Sequence, residues 1–480
     1  MRRLIRAASA LGLLAGAVHG LQVDFTSDDS IKQAASTVAY GLLKYYTGNN
    51  TGDTPGNLPD PYFWWEAGAM FGTMVDYWFL TGDESYVEVT KQALVHQAGD
   101  DQDYMPTNQT RTMGNDDQGF WAMAAMSAAE NNFPNPPADQ PQWLALAQAV
   151  FNEYVDRWDP ETCNGGLRWQ VFTFNNGYNY KNSISNGCFF NIAARLARYT
   201  GNQTYADWAE KVWDWMEEVG FIDEDFNVFD GAGVEAGCTE FSKPQWTYNA
   251  GIFLHGAAVM YNVYNASLGM DNGIGGGNDT ASEVWAQRTQ GMMRRTVDFF
   301  YNGTGVPTEH SCEPFNQCNI DQQSFKGYLM RWMTGTALMA PFTFDTLMPL
   351  VQSAAAAAAL QCSGSPPADQ FRGDPGTACG FKWTQGAVFD GQVGVGEQMS
   401  ALSAIQYTLV KKAEVGGQDK VPVTANSGGT SIGNVNAGAS TESKIPTPKP
   451  ISTAERVAAG FATTAMLFSV LGGSFFVMKD

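Results

Sequence analysis

The chain has 480 residues, a hydrophobic content of 44 %, an aromatic content of 13 % with 14 Trp, and a formal net charge of −21. That length accommodates one large domain of about 350–400 residues plus processing segments, or two or three ordinary domains. So acidic a chain repels phosphate backbones, which argues against nucleic acid as a partner. Its acids are spread along the chain, as on a solvated surface with an acidic cleft, and are not gathered into a tail.

Arg2, Arg3 and Arg6, an apolar stretch from Ala7 to Val18 and the small residue Gly20 form the layout of a signal peptide over residues 1–20. Secretion places the mature chain in an oxidising compartment, so its seven cysteines read as a disulfide framework with one thiol left over. Cys312 with Cys318 and Cys362 with Cys379 are the natural local pairs, and Cys163 with Cys238 is the expected third. Cys188, in the apolar stretch Cys188-Phe189-Phe190, is the expected buried free thiol. Glycosylation sequons at Asn49, Asn108, Asn202, Asn265, Asn278 and Asn302 agree with secretion.

From about Asp28 to Leu409 the chain reads as helix after helix. Ser30–Tyr46 is amphipathic, with Ile31, Ala34, Ala35, Val38, Leu42 and Tyr45 on one side. Phe63–Leu80 is more apolar and stops at Thr81-Gly82, and Glu84–Gln97 follows at once. The pattern recurs where Arg198-Tyr199-Thr200-Gly201 closes one helix and Tyr205 opens the next. This is a repeated hairpin whose first helix is apolar nearly all round and must be covered on every side, while the second is half exposed. Further helices are predicted near Asp117–Asn131, Trp143–Trp158, Ser183–Tyr199, Gln245–Tyr264, Glu283–Phe300, Gln322–Met339, Thr346–Leu360 and Gly391–Leu409. Such pairs repeat into a solenoid or a closed ring. The expected fold is all-α, an (α/α)6 barrel of six inner and six outer helices over residues 21–411, with the cleft where the loops entering the inner helices gather.

Residues 412–450 shift to Gly, Ser, Thr, Asn and Pro, a composition read as a disordered stalk. Residues 451–480 hold an apolar run from Val457 to Met478 with only Lys479 and Asp480 after it. With the small-residue patch Asn436–Ser440 upstream, this is the layout of a GPI-attachment signal that is removed in the mature protein. A retained tail anchor is the other reading of the same run.

The strongest local signal is Gly114-Asn115-Asp116-Asp117-Gln118-Gly119-Phe120-Trp121, two adjacent acids opening an apolar, Ala- and Met-rich helix. Capping of free N–H groups explains one acid at a helix start well, and a pair above buried turns less well. Glycoside cleavage needs two carboxylates about the bond, one to protonate the leaving oxygen and one to attack carbon or activate water. Neighbouring helix residues point about a quarter turn apart, yet at a helix start they can flank one sugar. Other patterns carry less. Gly429-Thr430-Ser431-Ile432-Gly433 matches GxSxG but falls in the stalk, and Gly231-Ala232-Gly233-Val234-Glu235-Ala236 lacks a βαβ setting. His96, His255 and His310 are far apart, and Asp100, Asp101 and Asp103 do not make a calcium loop, so no metal or other cofactor is expected.

These residues resemble glycoside hydrolase family 76, the endo-α-1,6-mannanases, and within it the fungal GPI-anchored cell-wall branch of defective-cell-wall and defective-for-filamentous-growth proteins. The resemblance runs from about Leu21 to Leu409 and on through stalk and anchor. Its motifs are Asp116-Asp117 followed by Trp121, Lys181-Asn182-Ser183-Ile184-Ser185-Asn186, Val228-Phe229-Asp230-Gly231, and Trp246-Thr247-Tyr248-Asn249-Ala250-Gly251. The resemblance implies an (α/α)6 barrel and a retaining mechanism with Asp116 as nucleophile and Asp117 as acid/base. It makes Asp60, Trp64, Arg168, Asn182, Asn186, Asp230, Trp246, Tyr248 and Asn249 candidates to line the sugar cleft. Core packing is the other reading of Trp64, Trp246 and Tyr248, and helix capping that of Asn182 and Asn186. Implied substrates are α-1,6-mannose-containing glycans, including the GPI-core glycan of GPI-anchored proteins, with cell-wall β-glucan as acceptor. The implied location is the outer face of the plasma membrane, through a GPI lipid, and the cell wall. Hydrolysis and transfer share the covalent intermediate, and sequence does not separate them. A wall lectin or scaffold without turnover is the non-enzymatic alternative, against which the paired acids stand.

Overall fold

The computed structural model describes residues 20–109, 112–265, 279–412 and 421–438, with positions 459–461, 463–464 and 466–467. Residues 1–439 form one compact unit and 440–480 a second. The expected signal peptide and nearly all of the expected GPI signal fall outside the described residues. Among the described residues no helix is long and apolar enough to cross a membrane.

Among the described residues of the first unit, twelve α-helices follow in order: α1 Asp28–Leu43, α2 Trp64–Thr81, α3 Val87–His96, α4 Asn115–Glu130, α5 Trp143–Arg157, α6 Ser183–Thr200, α7 Gln203–Glu218, α8 Thr247–Tyr264, α9 Asp279–Thr296, α10 Phe325–Met339, α11 Phe344–Gln361 and α12 Val395–Gln406. The even-numbered helices pack in sequence, α2 on α4, α4 on α6, α6 on α8, α8 on α10 and α10 on α12, and α12 returns to α2. That closes a ring of six inner helices. Each odd-numbered helix lies outside, α1 against α12 and α5, α7, α9 and α11 against α4, α6, α8 and α10. The pattern follows from composition. Nearly every residue of α4 and α6 is buried, including Met123, Met126, Phe189 and Phe190, as a helix covered on all sides requires. The outer α7 instead buries one stripe, Tyr205, Ala209, Val212, Trp213 and Met216. Gly82 and Gly201, read as stops, end α2 and α6 in the left-handed conformation, at φ 76° and 70°.

Disulfides join Cys163 to Cys238, Cys312 to Cys318 and Cys362 to Cys379, and Cys188 is a buried free thiol. Asn49, Asn108 and Asn302 are exposed; Asn202, which caps α7, and Asn265 are half-buried, and Asn278 lies outside the described residues.

One expectation is corrected. Over 421–438 the presumed stalk is not disordered but lies as a strap on α4, α5 and α6. The Val423 N–H donates to the Glu130 carbonyl at the end of α4, 2.7 Å, and Arg198 Nη2 donates to the Pro422 carbonyl, 2.8 Å. The Leu144 N–H, free at the start of α5, donates to Ser431 Oγ at 2.9 Å, and Asn152 Nδ2 donates to the Ala437 carbonyl at 2.7 Å. The GxSxG serine is therefore a helix cap supplied from afar. Low apolar content hid the strap, because it is held through backbone groups and small polar side chains, which composition does not register. The expected lipid-attachment patch begins at its end, and Ala439 and Ser440 lie outside the described residues.

Candidate active site

The N-termini of the inner helices meet at one end of the barrel, and α4 brings Asp116 and Asp117 to it. Its start is tied to the loop before β1. The Asn115 N–H donates to the Trp169 carbonyl and Asn115 Nδ2 to that of Arg168, both at 2.8 Å, while Arg157 Nη1 donates to Asn115 Oδ1 at 2.8 Å. A Cβ at Gly114 would sit 2.3 Å from Asp116 Oδ1, so only glycine lets the chain enter so close to the acid. The opposite wall is a small antiparallel sheet of β1 Tyr180–Asn182, β2 Gly231–Gly233 and β3 Phe241–Ser242, with Asn182 opposite Gly231 and Gly231 opposite Ser242. Its register sets Tyr180, Asp230 and Ser242 on one side of an open cleft of about 950 Å³.

Among the described residues, four aspartates line this cleft, Asp116, Asp117, Asp230 and Asp321, and no lysine or arginine does. Three of them are held by an indole. Trp169 Nε1 donates to Asp116 Oδ2 at 3.1 Å, Trp246 Nε1 to Asp230 Oδ1 at 3.0 Å, and Trp65 Nε1 to Asp321 Oδ1 at 3.2 Å. The Tyr180 hydroxyl adds 2.7 Å to Asp230 Oδ2. An indole orients a carboxylate by a hydrogen bond without cancelling its charge, whereas an arginine would do both. Asp117 Oδ2 accepts the Gly114 N–H at 2.7 Å, so one oxygen caps α4. Capping and a catalytic role are thus compatible in the same residue.

Burial and the adjacent charge push Asp116 well above the ordinary carboxylate range. Asp117 is pushed up to about 7, mainly by burial, against the lowering effect of the Gly114 N–H and with the help of the Asp321 charge. Two buried acids so close titrate as a pair, the charge of one opposing ionisation of the other. Burial also raises Asp230 and Asp321.

Of the residues singled out from sequence, Asp116, Asp117, Asn182, Asp230, Trp246 and Tyr248 line the cleft together. Tyr248 stacks on Phe325, ring centroids 3.7 Å apart, and Asn182 also caps α6 by accepting the Ser185 N–H. The others lie elsewhere. Asp60 is exposed at the surface. Trp64 stacks on Trp121 and donates to Gln97, and its neighbour Trp65 is the one that faces the cleft. Arg168 is bound to Asp159 and the Tyr178 carbonyl, and its neighbour Trp169 takes the cleft position. Asn186 bridges the Leu167 N–H and carbonyl, and Asn249 is buried below the cleft with neither amide atom bonded. Sequence reasoning missed Trp65, Trp169 and Asp321. The first two each stand one residue from a named candidate, and Asp321 had no local signal, sitting in a polar turn before α10.

The sequence profile of glycosyl hydrolase family 76 matches residues 30–425. The chain is 44 % identical over 457 residues to the mannan endo-1,6-alpha-mannosidase DCW1 of Saccharomyces cerevisiae, covering 94 % of each chain. It is 41 % identical to the mannan endo-1,6-alpha-mannosidase DFG5 of that yeast, covering 96 % of this chain and 95 % of that one. Among solved structures, it matches Dfg5 from Chaetomium thermophilum in complex with glucosamine at a TM-score of 0.78 and 44 % identity, over 88 % of this chain and 98 % of that one. The GH76A alpha-1,6-mannanase of Salegentibacter sp. HEL1_6 shares the fold at a TM-score of 0.59 and 19 % identity, over 79 % of this chain and 98 % of that one.

Proposed function

Because the chain belongs to glycosyl hydrolase family 76, and so is a glycoside hydrolase, we propose that it cleaves α-1,6-linked mannosides with Asp116 and Asp117 as the reacting carboxylates. The observation that carries this reading is the pair at the head of α4, opening onto a cleft that no lysine or arginine lines among the described residues, with Asp116 aimed by the Trp169 indole. In the first step an Asp116 oxygen bonds to the anomeric carbon. The bond from that carbon to the leaving oxygen breaks, and its electron pair takes the Asp117 proton. In the second step Asp117 removes a proton from water or from a sugar hydroxyl, whose oxygen displaces Asp116. Trp246, Tyr248 and Trp169 offer flat faces for the apolar side of the sugar, and Asp230 accepts from its hydroxyls.

We read the donor as the α-mannose-containing GPI-core glycan of an anchored protein, and the acceptor as cell-wall β-glucan. Four aspartates without a cation suit a glycan that also bears an ammonium group, as unacetylated glucosamine does, and the 44 % identical Chaetomium Dfg5 was crystallised with glucosamine. The expected signal peptide and GPI signal would hold the enzyme at the outer face of the plasma membrane. The test incubates purified protein with an α-1,6-mannoside or a GPI-core glycan, with and without β-glucan, and reads products by mass spectrometry. A mannosyl–glucan adduct supports transfer, free reducing ends alone support hydrolysis, and an unchanged glycan refutes the enzyme reading. Release from membranes by a phosphatidylinositol-specific phospholipase tests the anchor.

A further inference from the structure

Asp321 comes from the turn before α10, on the far side of the ring from α4. Its backbone carbonyl is fixed by the Ser324 N–H at 3.0 Å and the Ser324 hydroxyl at 2.6 Å. The Trp65 indole holds one carboxylate oxygen. Trp65 in turn packs on Phe120, ring centroids 4.7 Å apart, and Phe120 stands one turn beyond Asp117 on the same side of α4. The chain Asp321–Trp65–Phe120 thus sets a fixed carboxylate in the same cleft as Asp117, with no lysine or arginine among the described residues lining that cleft to cancel it.

We propose that Asp321 is a positioning residue for the acid/base: its uncancelled carboxylate, clamped by the Trp65 indole, keeps a proton on Asp117 until the leaving oxygen takes it. The inference rests on the acid/base role of Asp117. A proton donor in water-accessible surroundings loses its proton below neutral pH, and a neighbouring negative charge is one of the few devices that prevents this. The charge of Asp321 acts on Asp117 in this direction. The other groups facing the pair do not substitute for it. The Tyr248 and Tyr154 phenols and the Cys188 thiol are pushed up by burial and stay uncharged. Glu66, buried on α2 with both oxygens unbonded, is pushed well above the carboxylate range by burial. Asp116 spends its charge on the anomeric carbon, and Asp230, held by Trp246 and Tyr180 beside the small sheet, is not the charge that acts on Asp117. Asp321, clamped by Trp65, is the cleft aspartate whose charge reaches Asp117.

The test is the pH profile of kcat/KM on an unactivated α-1,6-mannoside for the full chain, Asp321→Asn, Asp321→Glu and Asp117→Asn. Losing a negative neighbour makes a carboxyl more acidic, so Asp321→Asn should move the basic limb to lower pH by roughly half a unit or more. Asp321→Glu should restore the limb toward its wild-type position. Glycosylation by a mannosyl fluoride, which needs no proton, should fall far less in Asp321→Asn than turnover of the unactivated glycoside, and an unchanged circular-dichroism spectrum reports that the variant is folded. A limb that stays in place while the rate falls equally at every pH overturns the inference alone. Full activity of Asp117→Asn on the unactivated glycoside overturns the acid/base reading, and the inference with it.

Discussion

The two ends of the barrel use the same charged residue types in opposite ways. At the cleft, Asp116, Asp117, Asp230 and Asp321 meet no lysine or arginine among the described residues and are oriented by indole, hydroxyl and backbone N–H groups. At the far end, the buried acids Glu130 and Asp76 are paired with arginines. Glu130 Oε2 accepts from Arg195 Nη2 at 2.6 Å, and Asp76 Oδ2 from Arg331 Nε at 2.8 Å. Helix direction accounts for the division. Inner-helix N-termini, with free N–H groups and the positive dipole end, face the cleft and favour anions. The C-termini face away and favour the arginines, and Arg198 there is held by the Pro422 and Val423 carbonyls of the strap. A cancelled charge builds structure and an uncancelled one stays available for chemistry, so the partner of an acid tells more about its role than its burial does.

The sharpest way to break this contrast is to neutralise one acid at each end. Asp116→Asn should abolish the covalent glycosyl-enzyme, a loss of about 10⁴-fold or more, since an amide is too weak a nucleophile. Asp117→Asn should cost about 10²–10⁴-fold on natural glycans yet still react slowly with a fluoride donor. Peptide mapping of the trapped label should find it on Asp116; a label on Asp117 reverses the assignment. Glu130→Gln should do the converse. It leaves Arg195 buried without its partner, so urea denaturation should show a loss of about 3–5 kcal/mol while kcat of the folded fraction holds.

Truncation after Lys412, which removes the strap, should destabilise by roughly 2–4 kcal/mol, because the Glu130 carbonyl, the Leu144 N–H and Arg198 all lose partners. An unchanged melting temperature would return residues 421–438 to a passive stalk. The pH dependence of stability should also separate the two ends. Asp117 is raised in the folded state, so the fold binds more protons than the unfolded chain, and stability falls as pH rises from about 4 through about 7. Asp117→Asn should therefore be more stable than wild type above pH 7, by up to roughly 4 kcal/mol, with the difference vanishing at low pH. Activity on natural glycans should fall over the same rise through about 7, as the donor proton is lost. The smaller effects lie in the orienting groups. Trp169→Phe removes the N–H to Asp116 but keeps a ring, and should cost about 5–30-fold in kcat. Asp60→Ala, at an exposed site outside the cleft, should change neither activity nor stability measurably.

The sequence by itself determined the twelve helices, the alternation of buried inner and half-buried outer ones, the glycine stops and the tandem acids. Each of these is a local property. An all-round apolar helix such as α6 declares its place in the ring through its own residues, and Gly201 ends it through its own backbone. What only the tertiary structure decided is everything that depends on which distant groups meet. Trp65 and Trp169 read as core aromatics beside the chosen candidates, and only ring closure turned their indoles onto Asp321 and Asp116. Arg168 and Asn186 looked like sugar contacts until the loop over 159–182 consumed their hydrogen bonds. Residues 421–438 carry too little apolar surface to announce an ordered segment, and they are ordered because helix ends far away in sequence lack partners that the strap supplies. Periodicity and composition record what a residue is, while hydrogen-bond partnership and charge compensation depend on long-range neighbours, which only the closed ring brings together.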